Sequence, residues 1–77
     1  MIELFVTLVQ ENKGPQNYIQ LRITGDSFPH ILHQVEAFIK AYNKHPQNGE
    51  KIFDWYICEI DDIISSPIKI ELDHNDD

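Results

Sequence analysis

Residues 54 to 63, DWYICEIDDI, decide the fold because they predict a β-strand that is apolar on both of its faces. Successive side chains of a strand point to opposite faces, so a strand with one buried face alternates apolar and polar residues. This stretch does not alternate, since Trp55, Tyr56 and Ile57 are consecutive. Such a strand is expected at the centre of a sheet, where both faces contact other side chains.

The acids at the end of this strand indicate which of its faces is directed towards the core. If Glu59 faced the core, an unpaired carboxylate would be buried, which costs several kcal/mol. We therefore expect the other phase, in which four residues face the helix: Ile52, Tyr56, Cys58 and Ile60. The face without the helix would then carry Phe53, Trp55, Ile57 and Glu59.

Three further strands and one helix are predicted by the periodicity of the rest of the chain. Apolar residues at every second position predict strands over residues 2–9 and 18–24. Between residues 27 and 44 the apolar residues recur with the period of a helix. Residues 67–72, PIKIEL, alternate again and predict the last strand.

The predicted fold class is α+β, with the order β-β-α-β-β and one helix on one face of the sheet. The second and fourth strands alternate strictly and are expected at the edges, which leaves the first and third at the centre. The prediction is a four-stranded antiparallel sheet in the order 2-1-3-4. Its third and fourth strands form a hairpin joined by DDIISSP, residues 61–67. One helix covers only one face, so the helix-free face would be open to a partner.

The length of 77 residues predicts one domain over residues 1–77, because so short a chain cannot build two cores. The polar end of the chain, residues 74–77, is expected to be disordered. A single cysteine excludes a disulfide within the chain, and the first residues lack the basic segment of a signal peptide. No apolar run is long enough to span a bilayer, and a cytoplasmic location is expected.

The charge of the chain is concentrated in its last third. Residues 1–49 hold four acidic and four basic residues, whereas residues 50–77 hold nine acidic and two basic residues and so carry the whole net charge of −7. Direct binding to nucleic acid requires bases that neutralise phosphates, so this distribution argues against it and against anionic membranes. The same distribution favours a partner with a basic surface.

Two groups of residues could carry chemistry, and each has a simpler structural interpretation. Cys58 could act as a nucleophile, but it lies within a predicted strand in an acid-rich setting, and a packed thiol is favoured. His30 and His33 are three apart, yet zinc requires further ligands and no neighbouring residue completes a known spacing. We therefore expect no enzymatic activity, no metal and no cofactor.

The densest group of acids comprises Glu59, Asp61, Asp62, Glu71 and Asp73. In the predicted hairpin these side chains lie close together. One interpretation is that they are solvated charges that protect an edge strand from aggregation. The other is recognition of a basic surface, in which the carboxylates imitate the phosphates that a nucleic-acid-binding protein contacts.

The residues expected to contact a partner combine these acids with apolar side chains of the helix-free face. They are Phe5, Tyr18, Trp55, Ile57, Glu59, Asp61, Asp62, Glu71 and Asp73.

In its size, its acidity and its predicted β-β-α-β-β order, with CEIDDI and KIELDHNDD as the acidic segments, the chain resembles small phage-encoded inhibitors of bacterial defence of the anti-CRISPR type. The resemblance implies an inhibitor that binds a nuclease or its ribonucleoprotein complex and blocks target DNA or cleavage. The alternative is a non-enzymatic structural or regulatory subunit, either antitoxin-like or a homodimeric assembly protein, that uses the open sheet face as its interface. A partner protein is expected in both cases, with a homodimer possible in the second.

Overall fold

A computed structural model describes residues 1–11, 18–47, 50–64 and 66–72. The strands are β1 (Ile2–Gln10), β2 (Tyr18–Gly25), β3 (Ile52–Cys58) and β4 (Ile68–Glu71), and the helix is α1 (Phe28–Lys44). A short 3₁₀ turn, Ile60–Asp62, lies between β3 and β4. One helix and one four-stranded sheet confirm the α+β class for these residues. The predicted disorder of residues 74–77 lies outside the described residues.

Helix α1 begins and packs as its sequence pattern predicts. The Ser27 hydroxyl accepts a hydrogen bond from the backbone N–H of His30 at 3.3 Å, which satisfies one of the free donors of the first turn. Ile31 and Val35 are fully buried on the face towards the sheet. Phe38, Ile39 and Tyr42 extend this face and pack against the same core.

The strand order is β3-β1-β2-β4, so the predicted order 2-1-3-4 is wrong. β1 pairs with β2 and β3 in antiparallel fashion, as predicted, but β4 pairs with β2 rather than β3, and this pairing is parallel. The centre of the sheet is therefore the β1–β2 hairpin. The apolar residues on both faces of β3 do not mark a central strand, because β3 is an edge and many of its side chains are exposed.

The predicted β3–β4 hairpin is replaced by a crossing. The segment between these strands, residues 59–67, is called the connector below. The core side chains of β1 and β2 face α1, while Thr7 and Gln20 point to the opposite face by the alternation of the strands. Gln20 contacts the backbone of connector residues Asp62 and Ile64. The connector therefore runs over the helix-free face, from one edge of the sheet to the other.

The use of both faces follows from the directions of the two crossovers. The chain passes from β2 through α1 to β3 on one face, and then returns from β3 to β4 on the other. Crossovers between strands of the same direction are almost always right-handed. One crossover here moves across the sheet from β2 to β3, and the other moves back from β3 to β4. Two such crossovers can both be right-handed only if they pass over opposite faces of the sheet. The position of α1 thus excludes a second crossing on its own side.

The prediction of which β3 side chains face the helix is right for Ile52 and wrong for the residues after it. Gln10 pairs with Ile52 and Val9 pairs with Asp54, so Phe53 is an extra residue that forms a bulge. A bulge of one residue reverses the alternation of the side chains that follow. Trp55 therefore lies opposite Leu8, on the helix side, where it packs against the core.

The remaining residues of β3 follow the same reversal. Ile57 pairs with Val6 on the helix side, whereas Tyr56 and Cys58 lie on the helix-free face. The argument from Glu59 fails because β3 ends at Cys58 and Glu59 is exposed in the connector. No phase of the strand would have buried that carboxylate.

The burial of Gln20 predicts a large contribution to stability. Gln20→Ala should lower the free energy of unfolding by about 2–3 kcal/mol, because one buried and two partly buried hydrogen-bonding groups lose their partner. Chemical denaturation measures this loss, and hydrogen exchange of the Ile64 amide should accelerate. Gln47→Ala, at an exposed glutamine, is the matched control and should change stability by less than about 0.5 kcal/mol. Equal stability of the two variants would contradict the prediction.

The reversed phase of β3 predicts different roles for two adjacent aromatic residues. Trp55→Ala should lower the free energy of unfolding by about 2 kcal/mol or more, somewhat below the cost for a fully buried aromatic, since Trp55 is only half-buried. Tyr56→Ala, on the other face and about half exposed, should have the smaller effect. Thermal unfolding of both variants gives the comparison, and a larger loss for Tyr56→Ala would refute the phase.

Candidate functional site

The connector presents three carboxylates and two isoleucines to solvent. Glu59, Asp61 and Asp62 are exposed, and the side chains of Ile60 and Ile64 are 65% and 62% exposed. These five residues are called the connector surface. Isoleucine is normally among the most buried residue types, and here Ile60 lies between two exposed acids while Ile64 follows Asp62 by two residues.

The 3₁₀ turn sorts these side chains by type. The backbone N–H of Asp62 donates to the carbonyl of Glu59 at 2.9 Å, and that of Ile63 donates to the carbonyl of Ile60 at 3.2 Å. Residues three apart in a 3₁₀ turn lie on the same side. Glu59 and Asp62 therefore share one side of the turn, and Ile60 and Ile63 share another. The result is an acidic side next to an apolar side.

Hydrogen bonds from Gln20 fix the connector to the sheet beneath it. The Gln20 side-chain nitrogen donates to the carbonyl of Asp62 and to the hydroxyl of Thr7, each at 3.1 Å. The Gln20 side-chain oxygen accepts from the Ile64 backbone N–H at 2.7 Å. Both donors and the acceptor of this buried amide are thus used. The turn that carries the acids is held in place by its backbone, and the acidic side chains remain exposed.

Cys58 belongs to this network through the hydroxyl of Thr7. The Thr7 hydroxyl donates to the Cys58 sulfur at 3.2 Å, and the cysteine is half-buried at the end of β3. A nucleophilic cysteine requires a base or a cation that stabilises its thiolate. The partner found here is a hydroxyl that itself accepts a hydrogen bond from Gln20.

A groove of about 350 Å³ lies between the connector and the part of the sheet that carries Phe5 and Arg22. Its apolar lining consists of Phe5, Ile60, Ile63 and Pro67. Its polar lining is an ion pair between Glu3 and Arg22, both of which are partly exposed. The groove is thus mainly apolar, and one of its walls is the apolar side of the 3₁₀ turn.

The structure brings together only some of the residues predicted to contact a partner. Phe5 lines the groove, and the connector carries Glu59, Asp61 and Asp62. Tyr18 is on the helix-free face but at the opposite end of the strands, where it pairs with Val9.

The other predicted contact residues lie elsewhere. Trp55 and Ile57 are on the helix side of the sheet. Glu71 is on β4, at the far edge from β3 and about 14 Å away across three strand spacings. β4 pairs with β2 rather than β3, so the hairpin that was predicted to bring Glu71 beside the connector acids is not formed. Asp73 lies outside the described residues.

The structure also assigns residues to the site that the sequence did not reveal. Ile60 and Ile64 were not among the predicted contacts, yet both are exposed beside the acids. Glu3 on β1 and Arg22 on β2 form an ion pair. Arg22 lies opposite Phe5 in the sheet, so the Glu3–Arg22 ion pair is at the groove. A signal was available in IDDII, residues 60–64, where isoleucines flank two acids within one connecting segment.

The described ranges contain neither a cluster of metal-binding side chains nor a helix that could span a membrane. Among these residues, no three His, Cys, Asp or Glu side chains are close enough to hold a metal ion. His30 and His33 are exposed on α1. No helix in the described part of the chain has the length and apolar character needed to cross a bilayer.

The free edge of β3 is partly blocked by polar side chains. The Asn43 amide on α1 donates to the Ile52 carbonyl at 2.9 Å and accepts from the Ile52 N–H at 2.8 Å. The Asp54 carboxylate accepts the N–H of the next residue, Trp55, at 2.8 Å. Among the described residues β3 pairs only with β1, so the β3 backbone groups that bond to side chains are those of its free edge. Such capping opposes the addition of another strand.

Comparison of the chain with protein-family models, with curated proteins and with solved structures gave no match. The functional conclusion therefore depends on the side chains of this molecule, and chiefly on the connector surface and the groove.

The capped edge predicts a change in self-association. Asp54→Ala frees the Trp55 N–H and removes a charge from the edge, so it should increase dimerisation at high protein concentration. Asp54→Asn removes the charge but retains the oxygen acceptor, and it should remain closer to wild type. Sedimentation velocity over a concentration series measures both variants. If Asp54→Asn associates as strongly as Asp54→Ala, charge rather than capping protects the edge.

Proposed function

We propose that this chain is a non-enzymatic interaction module that binds a partner protein through the connector surface and blocks a basic site on it. The observation that carries the proposal is the juxtaposition of three exposed carboxylates with two exposed isoleucines on one segment. Gln20 fixes the backbone of that segment before any partner arrives. A preorganised surface loses less conformational freedom on binding, which favours affinity.

The carboxylates favour a basic partner. The net charge of −7 accelerates encounter with a positive surface, and the exposed acids orient the two proteins. A site that binds nucleic acid is a surface of this kind, because it contacts phosphates with lysine and arginine. Nucleases and ribonucleoprotein complexes in the cytoplasm are therefore the proposed class of partner. In this respect the chain would act as small anti-CRISPR inhibitors do.

The isoleucines supply the apolar part of the contact. Complete burial of an exposed isoleucine side chain contributes about 1.5–3 kcal/mol, whereas an exposed ion pair contributes at most about 1 kcal/mol. Ile60 and Ile64 would thus provide much of the affinity, and the acids much of the specificity and the association rate. Neither group would be sufficient alone.

The competing proposal is a homodimeric or antitoxin-like subunit that associates through the same face. In a two-fold symmetric interface each patch meets its own copy. Glu59, Asp61 and Asp62 would then face like charges, which disfavours association through the connector surface. The charge distribution therefore favours a different, basic protein over a second copy.

The charge of the connector is tested by a double substitution. Asp61→Asn with Asp62→Asn should weaken binding to a partner captured from nuclease-treated bacterial lysate by about tenfold at low salt, and by less at high salt. The backbone carbonyl of Asp62 that contacts Gln20 is unchanged, so the fold is retained. Affinity is measured at two ionic strengths, with double-stranded DNA as a competitor for the partner.

The matched control removes the same number of charges elsewhere. Glu11→Gln with Glu36→Gln alters two exposed acids outside the connector and should leave the affinity within about twofold of wild type. Equal affinities for the two double variants at both salt concentrations would exclude a role for the connector acids. A stable dimer of the isolated protein that captures no partner would support the competing proposal.

A further inference from the structure

The groove and the acids of the connector are adjacent parts of one surface. Ile60 lines the groove, and its two neighbours in sequence are Glu59 and Asp61. Consecutive Cα atoms are about 3.8 Å apart, so these two exposed acidic residues border the connector wall of the groove, and they are called its acidic rim. Beyond Ile60, the connector contributes Ile63 and Pro67, and the sheet contributes Phe5.

We propose that the groove receives an apolar side chain from a partner segment in which lysine or arginine flanks that residue. This inference rests on the proposed function and specifies the chemistry of the partner. The lining of four apolar side chains favours an apolar group inside the groove. The acidic rim favours cations on either side of it.

The geometry of an extended segment fits both parts of the site. A strand rises about 3.3 Å per residue, so residues next to an inserted side chain lie within reach of Glu59 and Asp61. The long stems of lysine and arginine allow their charged ends to reach the rim while the backbone stays at the groove. The Glu3–Arg22 pair is neutral as a unit and does not repel these cations.

Other occupants fit the groove less well. A second copy of the chain would bring further acids to an acidic rim. Nucleic acid would place phosphates beside Glu59, Asp61 and Asp62, where like charges repel. An acidic peptide would be rejected for the same reason. Charge complementarity thus selects a basic segment with a central apolar residue.

The test uses blocked peptides with the sequence Lys-Lys-Leu-Lys-Lys, the same peptide with central alanine, and Glu-Glu-Leu-Glu-Glu. Binding is followed by NMR shifts of the backbone amides of the full chain. The leucine peptide should bind roughly tenfold more tightly than the alanine peptide, because the larger side chain is partly buried. The acidic peptide should show no saturable binding in the millimolar range. Shifts should be largest at Ile60 and Ile63.

Two variants locate the effect at the groove. Ile60→Ala removes a wall residue that is 65% exposed, so folding is retained, and the preference for leucine should fall below about threefold. Ile68→Ala alters another exposed isoleucine, outside the groove lining on β4, and should keep the full preference.

The outcomes separate this inference from the proposed function. If the leucine and alanine peptides bind equally well and lose affinity with salt, the groove inference is overturned while the acidic surface stands. Equal binding of the acidic and basic leucine peptides overturns the requirement for flanking cations. Failure of both basic peptides to bind overturns the groove inference. The proposed function would still stand if the captured partner binds the Asp61 and Asp62 double variant more weakly than the control double variant.

Discussion

The hydrogen bonds of Gln20 are the constraint on which the helix-free side of the molecule depends. This one buried amide contacts the neighbouring strand through Thr7 and the connector through Asp62 and Ile64. It gives the connector a fixed path over the sheet, and that path sets where the chain can begin β4. The parallel β2–β4 pairing, the groove and the position of the acids all follow from the same crossing. A buried polar side chain therefore fixes the chain on the helix-free face of the sheet, whereas apolar packing fixes it on the helix side.

The crossing also explains why the charge of the chain is arranged as it is. A hairpin would have placed the acids of β3 and β4 together at one edge. Instead, the connector carries Glu59, Asp61 and Asp62 over the sheet, while Glu71 lies on β4 among Arg22 and Lys69. Glu71 thus has basic neighbours, and the acids of the connector are exposed beside isoleucines. The proposed contact with a basic surface is therefore assigned to the connector.

The sequence predicted those features that depend on local periodicity. The helix, its buried face, the β1–β2 hairpin and the β1–β3 pairing require only alternation, a helical period and short connections. The strand order was not predictable in this way. Nine connector residues can span about 30 Å, which is enough for a loose hairpin or for a crossing of about 14 Å. The choice depends on the hand of the crossover and on Gln20, which reads as an ordinary solvent-facing residue of an alternating strand.

The candidate site was also predicted only in part, because part of it depends on the path of the connector rather than on local periodicity. The acids were identified from charge alone, because exposed carboxylates need no particular fold. Trp55 was placed on the wrong face because a bulge at Phe53 leaves no mark in the alternation of IFDWYIC. The exposed isoleucines were missed because isoleucine in a sequence is normally assigned to the core. Their exposure is a property of the 3₁₀ turn, which only the structure displays.

The separation in sequence between Gln20 and the connector has a consequence for how the molecule assembles. The contacts of Gln20 with Asp62 and Ile64 join residues that are 42 and 44 positions apart, whereas the β1–β2 hairpin forms between close neighbours. Closing long loops is entropically costly, so contacts between distant residues are expected to form late in folding. The connector surface then exists only after the sheet is complete. A nascent or truncated chain would carry the same acids but would not present them in a binding geometry, and binding activity would report that folding has finished.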